Sequence, residues 1–388
     1  MAGTLLRGRT GAPDEARVGF VELFFDLVFV FAVTQLSHGL IAHLTPLGVI
    51  ETAMLLLSVW WVWVFTAWVT NWLDVERMPV RILLFALMGC GLMMSLSLPQ
   101  AFGARGGAFV AAFLAMQIGR PIFMLAALRR GHRDNFRNFQ RILIWALASA
   151  PLWIGGALAA GHERILWWIA ALAIDYAGPF CLFLVPGLGK SSTADWDVEG
   201  HHLAERCGLF VIIALGESIL ITGATFADVP WHMAQIWGFA SAFLGTIAMW
   251  WLYFNMGAER ASDTITHHKD PGRMARLAYT YLHLPIVAGI IVTAAADELV
   301  LVHPGGHGGG LISALILGGP ALYLAGNIAF KRTNARHMPL SHLAGLALLA
   351  AVALPGWHAA PVLLSLASTL VLMIVAAWET IAWRGRRD

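Results

Sequence analysis

The chain has 388 residues, 59% of them hydrophobic and 12% charged. Soluble domains carry about 25% charged residues, so the composition excludes a soluble globular protein and predicts an all-α polytopic membrane protein whose partner is the lipid bilayer. The formal net charge of +2 is spread along the chain and not gathered into a basic face, which excludes nucleic acid as a partner.

In chain order, residues 1–18 are polar and basic and read as a cytoplasmic segment, not as a signal peptide. Apolar stretches of spanning length then follow at 19–42, 49–72, 80–102, 107–129, 140–160, 164–187, 203–226, 232–256, 275–297, 311–330, 339–356 and 360–383. Twelve spans with both termini inside satisfy the positive-inside rule. All but three of the 25 Lys and Arg residues then face the cytoplasm; Arg105 and Arg164 lie outside and Arg120 lies within the fourth stretch. The polar segment 188–202 reads as a cytoplasmic linker between two six-helix units, 19–187 and 203–383, with 384–388 as a cytoplasmic tail. Val28–Gln35 lies over Phe210–Glu217, Trp60–Phe65 over Trp250–Asn255, and Arg77-Met78 over Arg273-Met274, with slowly growing offset. That pattern predicts a duplicated unit, and because six is even the two copies would run parallel.

Ionisable residues inside spans are expensive and are functional candidates by default. Glu22 and Asp26 lie four apart in the first stretch and therefore share a helix face, with Ser37 nearly on it. They could line a cation vestibule, while Glu22 near the helix start also suits the helix dipole. Arg120-Pro121 and Asp175-Tyr-Ala-Gly-Pro179 put a charge beside a helix breaker, and His283-Leu-Pro285 repeats the arrangement. Arg120 and Asp175 are expected to form a structural ion pair. His283 is a titratable candidate, the alternative being a core histidine that donates one hydrogen bond. His201-His202 and His267-His268 fall in cytoplasmic segments and are expected to be solvated.

The stretch His202–Leu220 carries Glu205 and Arg206 near its start and Glu217 deep in apolar sequence. A carboxylate at mid-bilayer costs roughly 2.5–3.5 kcal/mol, so Glu217 is a transport-path candidate together with Glu22, Asp26 and His283. Gly208, Gly216 and Gly223 recur on roughly one face and predict close approach of a neighbouring helix. Cys90, Cys181 and Cys207 have no metal or disulfide spacing, and His303-Pro-Gly-Gly-His307 reads as a flexible loop. No metal and no cofactor are expected. No Gly-rich phosphate loop, His-Glu-x-x-His or nucleophile elbow is present, so the chain is not read as an enzyme.

Glu22-Leu-Phe-Phe-Asp-Leu-Val-Phe-Val and Leu203-Ala-Glu-Arg-Cys-Gly-Leu-Phe-Val-Ile-Ile-Ala-Leu-Gly-Glu-Ser-Ile resemble the hallmark segments of the bacterial low temperature requirement protein A (LtrA) family. Trp60-Trp-Val-Trp, Asn71-Trp-Leu-Asp and Arg77 fit the same pattern, and the resemblance covers nearly the whole chain. It implies a multi-pass bacterial inner-membrane protein linked to growth in the cold, with Glu205, Arg206, Gly216 and Glu217 as motif residues. The first-helix segment also resembles the Phe-Ser-Asp signature of two-repeat endolysosomal potassium and proton channels. Phe25 replaces the Ser, and Gly208 stands where a second repeat would carry the counterpart of Asp26. The leading expectation is a channel or transporter for a small cation, proton or solute. The alternatives are a non-transporting membrane protein that supports the envelope in the cold, and a lipid-acting membrane enzyme using Glu217 with His283.

Overall fold

A computed structural model describes residues 5–7, 17–129, 133–192, 199–255, 271–306, 309–334 and 338–384. Apart from two isolated bridges, the regular structure of these residues is helical. In hydrocarbon each backbone N–H and C=O must be satisfied within its own segment, which a helix does and a lone strand does not. The long helices are α1 Phe20–Ala42, α2 Pro46–Trp72, α3 Met78–Ser97, α4 Gly106–Leu128, α5 Arg133–Leu158, α6 Gly161–Phe180, α7 Gly200–Asp228 and α8 Met233–Phe254. They continue with α9 His283–Val302, entered through a short helix Pro271–Ala275 and a π-helical segment Arg276–Leu282, and with α10 Gly310–Asn334, α11 Leu340–Gly356 and α12 Pro361–Arg384.

Among the described residues, ten helices are long and apolar enough to cross a membrane. The other two of the twelve expected stretches form helices outside that set. α6 carries Glu163, Arg164 and Asp175, and α11 has 17 residues. Large apolar side chains face outward, among them Phe20 at 88% and Leu354 at 87% exposure. Patches of this kind are unusual on soluble monomers, and the chain is a multi-pass membrane protein.

Two compact units divide the chain: Met1–Gly39 with Val49–Arg206 and His268–Arg276, and Leu40–Gly48 with Cys207–His267 and Leu277–Asp388. In the first, α3, α4, α5 and α6 pack in sequence. Phe109, Phe113, Trp153 and Trp168 fill the space between α4, α5 and α6, with Phe113 and Trp153 centroids 4.5 Å apart. Arg164 at the start of α6 donates to the carbonyls of Gly156 and Ala159 at the end of α5, and to Ala101 and Gly103. One guanidinium thus satisfies the orphan acceptors that a helix end leaves.

In the second unit, α9 packs on α10 and α8, and α12 packs on α8, α10 and α11. The α9–α10 contact is set by glycine. A Cβ at Gly289 would lie 2.5 Å from the backbone nitrogen of Tyr323, and one at Gly326 would lie 2.8 Å from that of Ile286. The close approach expected at Gly208, Gly216 and Gly223 is not found. Gly208 has only ordinary van der Waals contact with Phe254, and a Cβ at Gly216 or Gly223 would meet nothing within 4 Å.

The prolines bend the expected pattern less than predicted. α4 runs through Pro121 without a break, and Pro179 sits in the last turn of α6. That helix ends at Phe180 and not near 187 because Leu182 and Phe183 both take left-handed backbone conformations, φ 56° and 48°. Ahead of Pro285, the chain accommodates the missing N–H with the π-helical segment Arg276–Leu282.

Candidate functional site

The strongest concentration of buried charge lies where α1, α2 and the first turns of α7 meet, within the first unit. Glu22 is the third residue of α1, and its Oε2 accepts a hydrogen bond from Gly19 N at 2.9 Å. A glutamate at this position closes half of a capping box. Its Oε1 faces α7, 2.8 Å from Arg206 Nη1 and 3.0 Å from His202 Nε2. The helix-start contact expected for Glu22 is therefore present, and the same carboxylate also bonds α7. Four residues on, Asp26 Oδ1 accepts from Arg206 Nη2 at 2.7 Å and from Trp63 Nε1 at 2.8 Å. Asp26 Oδ2 is buried and has no hydrogen-bonding partner among the described residues, and neither has Arg206 Nε.

Arg206 spans both acids like a fork. Bidentate use of a planar guanidinium is the geometry that suits arginine and not lysine. Its carbon Cζ also lies over the rings of Phe25 and Trp63, at 5.9 and 5.8 Å. Glu22 and Arg206 are fully buried and Asp26 is 1% exposed. Arg7, from the N-terminal segment that pairs with the end of α2, adds a second cation 3.7 Å from Glu22.

His202, expected to be solvated, is instead fully buried within α7. The surrounding hydrogen bonds fix its protons. Asn71 Oδ1 accepts from Glu199 N, and Asn71 Nδ2 donates to Glu199 O at 2.8 Å and faces His202 Nδ1 at 3.3 Å. An amide NH2 requires an acceptor there, so Nδ1 is bare and Nε2–H donates to Glu22. Of the motif acids, Glu205 is exposed and accepts from Val18 N at 3.1 Å.

A second buried group surrounds Arg120 and Asp175. They are not in direct contact as the expected ion pair would be; Gln117 stands between them. Arg120 Nη2 donates to Gln117 Oε1 at 3.0 Å, and Gln117 Nε2 donates to Asp175 Oδ1 at 3.4 Å. Arg120 otherwise donates to Met116 O, Val62 O and Thr66 Oγ1, and Trp153 Nε1 holds Asp175 Oδ2 at 2.9 Å. Both groups are hung on α2, where Trp63 and Thr70 serve the first and Val62 and Thr66 the second.

In the second unit, His283 is a doubly bonded core histidine. Nδ1 donates to Ala278 O at 2.8 Å, and Nε2 accepts from Tyr253 OH at 2.8 Å. Glu217 is 3% exposed on α7, eleven residues beyond Arg206. The neighbouring Ser218 lies 3.3 Å from Thr246 of α8. Gly216 is partly exposed.

Three features were not singled out from sequence. Asn71 and Thr70 complete the first group, Asp297 on α9 is buried and its Oδ2 has no hydrogen-bonding partner among the described residues, and Lys331, His342 and Glu379 join α10, α11 and α12. Lys331 and Glu379 are 2.7 Å apart. Asn71 had a signal, since it stands in the Asn71-Trp-Leu-Asp segment; the Lys331–Glu379 pair had none, because 48 residues separate the partners. Among the described residues, no group of three His, Cys, Asp or Glu is placed to hold a metal ion. His267, His268 and His307 lie outside the described residues.

Comparison with known proteins follows the same motifs. The uncharacterized protein RA0937 of Rhizobium meliloti (strain 1021) is 42% identical over 375 residues, which is 96% of this chain and 91% of that protein. No solved structure matches. The family model described as bacterial low temperature requirement A protein matches residues 17–377, a span that contains Glu22, Asp26 and Arg206 as well as Arg120 and Asp175, and the chain belongs to the LtrA family.

Proposed function

We propose that this protein moves protons, or a small cation or solute exchanged with protons, across the bacterial inner membrane, and that it is a transporter or channel and not an enzyme. The observation that carries the reading is Asp26. One of its oxygens is held by Arg206 and Trp63, while the other is buried with no hydrogen-bonding partner among the described residues. A carboxylate fixed in place by a guanidinium and left with a vacant acceptor inside a span suits a proton or cation relay. Glu22 and His202 extend the same network by one hydrogen bond. In the second unit, Glu217 is the other acid proposed for the path, and His283 remains a lesser candidate because both its nitrogens are engaged.

The test is flux in liposomes, read with an internal pH dye and a panel of monovalent cations. The wild-type protein is expected to pass protons or one of the cations. Asp26→Asn retains size but cannot exchange a proton, and it is expected to fold and to lose flux by tenfold or more. Glu217→Gln is expected to lose flux or its pH dependence. A wild-type protein that passes nothing on the whole panel, or Asp26→Asn with undiminished flux, would overturn the reading and leave the network as a structural clamp in a non-transporting protein.

The topology proposed with this function is twelve spans, cytoplasmic termini and two parallel six-helix repeats, 19–187 and 203–383. The distribution of lysine and arginine supports it. Reporter fusions after Arg141 and Arg336 should read cytoplasmic, and fusions at Gly161 and Gly306 should read external. One reversed reading from an intact fusion would break the twelve-span arrangement.

A further inference from the structure

The Arg120 group borders a cavity of about 30 Å³. Its polar wall is Arg120, Gln117 and Asp175, and its aromatic wall includes Trp61, Phe139 and Phe183. A water needs roughly 10–15 Å³ of such space and two to four polar partners, so the cavity has room for about two.

The polar wall has that many unused groups. Of the five guanidinium N–H donors of Arg120, Nε serves Met116 O, Nη1 serves Val62 O and Thr66 Oγ1, and Nη2 serves Gln117 Oε1. One Nη2 hydrogen is left without a partner among the described residues. Asp175 accepts from Gln117 and Trp153, and the Ser149 hydroxyl also faces the carboxylate; a carboxylate has about four lone-pair sites, so one remains for water. Trp61 is 2% exposed, and its Nε1 has no partner among the described residues. Buried donors are rarely left in this state in native proteins.

The backbone is strained to complete the wall. Leu182 and Phe183 are two successive non-glycine residues at positive φ, a conformation that persists only where surrounding contacts impose it. Phe183 N donates to Gly178 O at 2.7 Å, and a Cβ at Gly178 would stand 2.9 Å from the Phe183 ring. Glycine at 178 and the strained pair together seat that ring against the cavity.

We infer that this cavity is a resident water site, in which one or two molecules link Arg120 Nη2, Trp61 Nε1 and the Asp175 carboxylate. The site makes the Arg120–Gln117–Asp175 group a hydrated charge pair inside the span, distinct from the Glu22–Asp26–Arg206 network.

Radiolytic footprinting with mass spectrometry tests it, because hydroxyl radicals formed from bound water oxidise the rings beside it. Trp61 and Phe183 should be oxidised several-fold faster than Phe109 and Trp168, which are as deeply buried in the same unit but do not border the cavity. Ala146 borders the cavity, and Ala146→Leu should fill it and bring Trp61 down to the rate of Trp168. Ala146→Val serves the same purpose if the larger side chain prevents folding. Equal rates for Trp61 and Trp168 in the wild-type protein, or a Trp61 rate unchanged when the cavity is filled, would overturn the assignment.

Discussion

Arg206→Met is expected to destabilise the protein by about 3–5 kcal/mol, the range for removing one partner of a buried ion pair. The guanidinium is fully buried and bonds Glu22 at 2.8 Å and Asp26 at 2.7 Å. Without it, two carboxylates four residues apart on one helix face lose their shared cation, with Arg7 left 3.7 Å from Glu22 only. Arg206→Lys should fall between, because one ammonium cannot hold both acids with the fork geometry. The combination Arg206→Met, Glu22→Gln and Asp26→Asn should recover much of the loss, since it removes the uncompensated charges together. Unfolding in mixed detergent micelles reads these differences. Wild-type stability in Arg206→Met would mean that the ion pairs contribute nothing to the fold.

Gly289→Val is the second change expected to have a large effect. The Cβ of any residue at 289 would sit 2.5 Å from Tyr323 N and 2.7 Å from its Cα. Those atoms are backbone and cannot rotate away, so α9 and α10 must separate. Overpacking costs about 1–3 kcal/mol and sometimes more, and here it also loosens the contacts at Gly319 and Gly326, where a Cβ would come within 2.8 Å of neighbouring backbone nitrogens. Gly216→Ala is the control. It adds a methyl where nothing lies within 4 Å, and alanine is the better helix former by up to about 1 kcal/mol. A thermal shift in detergent should fall for Gly289→Val and stay level or rise for Gly216→Ala. Equal shifts for the two would sink the argument that α9 and α10 are held by glycine.

These two cases mark how far residue patterns reach. Helical periodicity places Glu22 and Asp26 on one face, and in the structure both carboxylates bond one guanidinium, that of Arg206, which the periodicity does not name. The same kind of spacing argument failed for Gly208, Gly216 and Gly223, because a row of small residues permits a close approach without saying which row a neighbour will use. Proline positions located the irregular backbone near Pro179 and Pro285 but overstated it at Pro121, where α4 continues unbroken.

What the sequence determined by itself is the solvent and the secondary structure. A chain with 12% charged residues belongs in hydrocarbon, and hydrocarbon forces its backbone into helices. It also picked out five ionisable residues that are buried, Glu22, Asp26, Arg120, Asp175 and Glu217, but not Asp297 on α9. The tertiary structure alone decided their partners. Arg206 counted as one of many cytoplasmic positives until its contacts, 180 residues away in the chain, drew it inside. His202 became neutral and buried through Asn71, and Gln117 took the place between Arg120 and Asp175. The reason is physical. Burial follows from the local balance of apolar and polar groups, which a linear window records, whereas a hydrogen bond is directional and short, so its partner depends on how whole helices are placed.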